Sequence, residues 1–319
     1  DDGELPLRYT VTLSPQGGAL RLTREQLTLT CDDDPTLELS LLDRWASGAR
    51  LLKGDTFTQI EEAPEGLLLT AYGRQPPHPE MARVLAALQG IEVHTPFEVL
   101  PTWVGRAHHR TSALRGSTMI QATRRLERLG LNLANAWHAL RTDQGEAHWQ
   151  ETMELVRLGL GDHVESVNTR ADAAGGEIAL WVKLRGRDAQ VPAAGLSEGM
   201  LSYLAFVALY RLPTPRSLLV FDEPELHLHP HLLVRVVDFF QSLSEQVPVV
   251  LSTHARRLLD ALHDPVASVR VCELDPQGDT VLRGLDPDAM ARWLEAYEGL
   301  GRILDAGYEA EVLQALEAS

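Results

Sequence analysis

Lysine is nearly missing from this chain of 319 residues: 27 of its 29 basic residues are arginine, and Lys53 and Lys183 are the only lysines. Any chemistry that needs a lysine ammonium at a fixed place is therefore quickly tested. Cysteine is as scarce. Cys31 and Cys272 stand alone, which excludes a disulfide framework and any cysteine-based metal spacing. No apolar run nears the roughly 20 residues of a membrane span, and no signal peptide opens the chain. A cytoplasmic location and no membrane contact are expected. Positive charge is short overall, with a formal net charge of −16. That excludes a general polyanion-binding surface and leaves room only for a local nucleic-acid contact. The first residue is Asp1 rather than Met, so translation is expected to start upstream.

What is there is enough for a substantial core: 44% of the residues are hydrophobic, and the length suits one large or two ordinary domains. The first 70 residues alternate apolar and polar (LRYTVTL, GGALRLT, QLTLTCDDDPTLELSLL), which predicts short antiparallel strands with CDDDP as an acidic turn. A proline-rich break, GRQPPHPE, follows at 73–80, and from about 80 to 170 the pattern turns mostly helical. EIALWVKL at 177–184 reads as a strand. A helix (198–211), strand (217–221), helix (about 230–246), strand (247–252), helix (255–263) and strand (268–274) complete the order. Alternating β and α argue for a parallel sheet covered by helices. From 286 the tail reads as helix.

Three stretches carry chemistry. SLLVFDEP runs an apolar strand, Leu218–Phe221, expected to be buried on both faces, into Asp222 and Glu223. Parallel sheets bind ligands at the carboxyl ends of such strands. Two acids there can divide labour, one holding Mg²⁺ and the other orienting a nucleophilic water; a solvated acidic turn is the plain alternative. Upstream, AGLSEGMLSYLAFVALYR starts a helix capped by Ser197, and a Ser-x-Gly at a helix start offers a hydroxyl and free N–H groups to a phosphate. Downstream, a second strand expected to be buried, Val247–Leu251, ends in Ser252, Thr253 and His254.

In this order and spacing the three resemble the second lobe of ABC-class ATPases. LSEGM stands where that class has its signature, VFDEP where it has Walker B, and STH where it has the switch histidine. DEPELHLHP looks like the SMC/RecF/OLD branch, and RLGLNLANAWHAL (128–140) resembles the G-x-NLA segment of predicted bacterial ATPases there. The resemblance implies an α/β fold, an ABC-type (RecA-like) ATPase head. It would have a mainly parallel sheet flanked by helices, an antiparallel β subdomain and a helical insertion. It divides the chain into 1–75 (antiparallel part of lobe I, incomplete at its N-terminus), 76–175 (helical insertion), 176–285 (lobe II) and 286–319 (helical tail).

Its implied cofactors are ATP and Mg²⁺. Asp222 would help hold the metal, Glu223 would polarise the attacking water and His254 would contact the γ-phosphate. Ser197, Glu198 and Gly199 would bind nucleotide held by the opposite subunit of a homodimer with composite ATP sites, so that hydrolysis becomes a conformational switch. The Walker A loop such a site needs is missing. No G-x-x-x-x-G-K-[ST] occurs, Lys53 has no glycine five residues before it, and Lys183 lies inside a strand. The phosphate loop is expected in a segment absent from this sequence; the rival is a degenerate, non-hydrolysing scaffold subunit. About 55 residues follow the last core helix, too few for an appended nuclease. The effector is therefore expected to be a separate protein such as a nuclease, in antiviral defence or DNA repair.

Two further clusters remain open. His227, His229 and His231 alternate, as metal ligands on a strand would, although Pro230 argues for a loop entering a helix. Between 105 and 128, Arg106, Arg110, Arg115, Arg124, Arg125 and Arg128 face a single acid, Glu127. They form either a DNA, RNA or partner contact or a solvated face.

Overall fold

The computed structural model describes residues 6–30, 38–61, 65–74, 76–100, 114–172, 176–294, 299–305 and 308–313. The expected acidic turn at 31–35, with Cys31, lies outside them. The chain divides into two compact units, residues 1–91 and 92–319.

In the first unit the alternating pattern builds an antiparallel meander of β1 (Leu7–Gln16), β2 (Ala19–Thr30), β3 (Glu38–Trp45), β4 (Gly48–Lys53) and β5 (Thr56–Ile60), paired in sequence order. Two helices follow, α1 (Leu68–Tyr72) and α2 (Pro79–Gln89), the second started by Pro79 behind a His78 cap. Leu27, Leu41, Leu42, Leu51 and Leu52 of the sheet pack with Leu68, Leu69, Met81 and Leu85 of the helices. Burying each such side chain contributes about 1.5–3 kcal/mol. One acid is buried with them. Glu25, fully buried, accepts from the N–H groups of Leu68 (2.7 Å) and Leu69 (2.9 Å) and from the Tyr9 hydroxyl (2.8 Å). It thus satisfies donors that a helix start leaves open; burial, and then the Glu25 carboxylate beside it, holds the Tyr9 hydroxyl well above the ordinary tyrosine range.

The second unit begins with β6 (Ile91–His94) and β7 (Thr118–Met119). Then come α3 (Leu133–Thr142), α4 (Glu146–Leu160), β8 (Val164–Ala171), β9 (Glu177–Leu184) and β10 (Val191–Pro192), followed by a 3-10 turn at Ala193–Gly195. After α5 (Glu198–Arg211) the chain alternates β11 (Leu218–Asp222), α6 (Pro230–Ser244) and β12 (Val249–Ser252), as expected. The helix expected at 255–263 is only one turn long, α7 (Arg256–Leu259), and is followed by α8 (Pro265–Ser268). β13 (Arg270–Leu274), β14 (Thr280–Gly284), α9 (Pro287–Leu294), α10 (Leu300–Asp305) and α11 (Glu309–Val312) end the described chain.

The architecture is mixed α/β. Strand order β12-β11-β6 forms a three-stranded sheet in which β11 and β12 run parallel, while β7, β8 and β10 each pair antiparallel with β9. β13 does not join the parallel sheet; it pairs with β14 in an antiparallel hairpin. The stretch from 80 to 170, expected to be mostly helical, also holds β6, β7 and most of β8, and α3 and α4 share one core with α5, α6 and β11. Aromatic rings fill the centre of that core: the ring centroid of Phe221 in β11 lies 4.9 Å from that of Phe206, 5.2 Å from that of Phe97 and 5.8 Å from that of Phe240.

Strands β11 and β12 are less covered than their apolar sequences suggest. In β11, Leu219 and Phe221 are fully buried while Leu218 and Val220 are half-buried. In β12, Val250 is 53% exposed. An apolar run forces burial on both faces only when strands and helices cover both sides, and among the described residues β12 is paired on one edge alone.

Candidate active site

β11 and β12 are in register with Asp222 opposite Ser252, so their carboxyl ends open at the same edge of the sheet. The Ser252 hydroxyl donates to Asp222, and the Glu223 N–H donates to the Ser252 carbonyl at 2.9 Å. Glu223 adopts the left-handed conformation, φ 47°, which costs a non-glycine residue about 1–3 kcal/mol. That bond and the following turn, closed by Leu226 N–H to Glu223 O at 3.2 Å and Leu228 N–H to Glu225 O at 3.0 Å, hold it there. The turn throws the Glu223 side chain toward His254, whose Nε2 lies 3.8 Å from Glu223 Oε1. The His254 ring is 91% exposed and Glu223 36%. An acid and an imidazole thus flank open space beside a second carboxylate, a set able to hold a cation and orient a water.

The start of α5 is built on the same turn. Ser197 caps the helix by accepting from Met200 N–H at 3.2 Å. The Glu198 carboxylate meets His227 Nδ1 at 2.9 Å. A Cβ on Gly199 would stand 3.2 Å from the His227 carbonyl oxygen, so this close approach suits glycine. Ser197, Glu198 and Gly199 therefore adjoin the segment after Glu223 within one chain.

The histidine triplet does not form a strand face. His227 sits in the turn, left-handed at φ 64°, and His229 caps α6 by accepting from His231 N–H at 3.3 Å. Among the described residues no three His, Cys, Asp or Glu side chains gather as a metal site.

The arginine cluster separates. Arg106 and Arg110 lie outside the described residues. Arg124 and Arg128 are exposed, and Arg125, half-buried, reaches the Pro215 carbonyl at 3.5 Å. Arg115 is not a surface contact at all: it is 5% exposed. Its guanidinium donates to the carbonyls of Val99 (2.7 Å), Leu196 (2.8 Å), Ala194 (3.2 Å) and Ala193 (3.5 Å), which fixes the turn leading into Ser197. Burial pulls its pKa below the ordinary arginine value, and the nearby Glu198 charge opposes that pull. Charge counting along the sequence could not separate this residue from its neighbours, because only the fold brings those carbonyls to it.

Two acids escaped the sequence reading. Glu225, the second glutamate of DEPE, accepts on one oxygen from the Thr253 hydroxyl (2.8 Å) and the N–H groups of His254 (3.0 Å) and Ala255 (3.1 Å). Its place in the motif was visible; its partners were not. Behind β11, buried Glu92 pairs with Arg216 Nε at 2.5 Å and His94 Nε2 at 2.7 Å. The His94 ring stacks on Phe221, with centroids 5.5 Å apart. Burial works against the Glu92 charge, but the His94 hydrogen bond and the Arg216 charge outweigh it, and its carboxyl titrates below the ordinary range. This cluster buttresses the strand that carries Asp222.

The second unit is thus a mixed α/β domain with two acids and a histidine at the carboxyl ends of its parallel strands. Residues 121–260, which include Ser197, Asp222, Glu223 and His254, match the family model described as "AAA domain, putative AbiEii toxin, Type IV TA system". None of the curated proteins matches the chain. Among solved structures the chain is similar to an SMC head bound to the C-winged helix domain of ScpA, at 13% identity and a TM-score of 0.40, over 84% of this chain and 76% of that one. It is also similar to the SMC head domain from Thermotoga maritima, at 10% identity and 0.33, over 82% and 74%. A structure from work on ATP-driven dimerization and DNA-stimulated activation of SMC ATPases shares 14% identity at 0.33, over 48% and 96%. No helix among the described residues is long and apolar enough to cross a membrane.

Proposed function

We propose that the chain is the ATP-binding and hydrolysing head of a dimeric switch that controls a separate effector. The observation that carries this reading is the constellation at the ends of β11 and β12: Asp222 bonded to Ser252, and Glu223 turned toward His254 at 3.8 Å. Asp222 offers one carboxylate to Mg²⁺, in keeping with an ion that takes one or two carboxylates plus phosphate oxygens and water. Mg²⁺ would neutralise phosphate charge. Glu223 would accept the proton of the attacking water, and His254, well exposed, would reach the terminal phosphate. The start of α5 would meet nucleotide held by a second copy.

Neither lysine serves as a phosphate-loop lysine. Lys53 closes β4 in an antiparallel hairpin, and the Lys183 ammonium donates to the carbonyls of Arg187 and Asp188. In this reading the phosphate loop is supplied by residues other than these two lysines and their neighbours. The same observation favours a second reading, a non-hydrolysing subunit. The toxin–antitoxin wording of the family description supports a setting in cellular defence; a nuclease effector and nucleic-acid contact through Arg124, Arg125 and Arg128 belong to this proposal.

Glu223→Gln in the natural full-length protein tests it. Loss of general-base chemistry should lower turnover by roughly 10²–10⁴-fold, and light scattering should find an ATP-dependent dimer that persists. Undiminished turnover would refute the role of Glu223. A natural protein that binds no ATP leaves the scaffold reading.

A further inference from the structure

The reach of the His254 ring is set by its backbone, because the side chain is 91% exposed, with Glu223 at 3.8 Å. That backbone is held by one residue. Glu225 Oε1 collects three donors from consecutive residues after β12, the Thr253 hydroxyl, the His254 N–H and the Ala255 N–H. The Thr253 hydroxyl also accepts from Ala255 N–H at 2.9 Å, closing a small network around the carboxylate. Charge-assisted bonds of this kind are about twice as strong as neutral ones. Glu225 sits two residues after Glu223, in the turn closed by the bond from Leu228 N–H, so the acid and the histidine are referenced to the same rigid loop. Its other oxygen, Oε2, is buried and has no hydrogen-bond partner among the described residues, so the carboxylate is committed to the loop rather than to solvent.

We propose that Glu225 is the positioning residue of the site: it fixes the 253–255 loop so that His254 stands opposite Glu223. This deepens the proposed ATPase reading and rests on it for the role of His254. The geometric half stands without it. Without Glu225 the strand ends would still be tied by Glu223 N–H to Ser252 O and by Ser252 to Asp222. The sheet would then survive while the histidine lost its register.

The test uses the full chain and two readouts. Amide hydrogen exchange at His254 and Ala255 should rise at least about tenfold in Glu225→Ala, with β11 and α5 unchanged. In Glu225→Gln, which keeps an acceptor oxygen, it should stay within about threefold of wild type. ATP turnover of the natural full-length protein should show kcat lowered about tenfold or more in Glu225→Ala with KM within twofold, and restored by Glu225→Gln. Unchanged exchange in Glu225→Ala overturns the proposal, as does raised exchange with unaltered kcat. If the wild type hydrolyses no ATP, the ATPase reading fails and the exchange data still decide whether Glu225 holds the loop. Should Glu225→Ala not fold, Thr253→Val, which deletes one donor, must raise exchange at Ala255 by about threefold; wild-type exchange there overturns the proposal.

Discussion

Replacing Arg115 with methionine removes every donor of a buried guanidinium while keeping most of its stem volume. Four backbone carbonyls then lose their partner, two of them at short range, Val99 at 2.7 Å and Leu196 at 2.8 Å. A hydrogen bond to a charged group contributes about 1.5–3 kcal/mol. The two short bonds alone therefore amount to roughly 3–6 kcal/mol, from which relief of the buried charge must be subtracted, because desolvation already pulls this guanidinium below its ordinary pKa. The expected net loss is about 3 kcal/mol, within the range seen when one member of a buried polar network is removed. Urea unfolding followed by circular dichroism should show a lower midpoint at unchanged slope. Arg115→Lys should fall between, since one ammonium cannot reach carbonyls spread from Val99 to Leu196. A loss below about 1 kcal/mol for Arg115→Met would show that water satisfies these carbonyls, and the role of Arg115 in fixing the turn before Ser197 would be withdrawn.

Other expectations follow from buried contacts. Glu92→Gln strands Arg216 and His94 in the core and should cost about 3–5 kcal/mol, read from the same denaturation curves. Because the folded-state pKa of Glu92 is depressed, its contribution is present above the unfolded value of about 4.3 and is lost as pH falls through the lower folded value. The wild type should therefore lose more stability than Glu92→Gln on acidification below about pH 4; parallel pH profiles would refute the ion pair. Gly159→Ala would set a Cβ inside the Tyr203 ring, where α4 and α5 touch, and should destabilise by about 1–3 kcal/mol. Tyr203→Phe removes the hydroxyl that donates to Leu155 O at 2.8 Å and should cost about 1 kcal/mol; an increase in the thermal midpoint would contradict that bond.

Much of the second unit was legible because its signals are local. Ser197 and Pro230 mark the starts of α5 and α6 through capping and a fixed φ, and α5 falls at the expected 198–211. Alternation places β9 at 177–184. The strand-end acids were legible too, since an apolar run ending in Asp-Glu-Pro reads as a buried strand reaching a surface. The reach of α7 was not: its sequence continues as apolar and basic residues, yet the helix stops at Leu259. There Asp260 turns its carboxylate to the N–H of Gly301 at 2.7 Å, a partner 41 residues away.

By itself the sequence determined the elements whose signals are local, such as α5, α6 and β9, which ends are capped, and which acids stand at the close of β11, because each depends on neighbours within a few residues. Tertiary structure alone decided what those residues do for one another. It turned Arg115 from a member of a basic cluster into a buried clamp on Leu196, 81 residues on. It joined Glu92 to Arg216 across 124 residues and Glu225 to His254 across 29. A charged side chain pairs with whatever donor or acceptor the packed core brings within about 3 Å, and no periodicity along the chain encodes that distance.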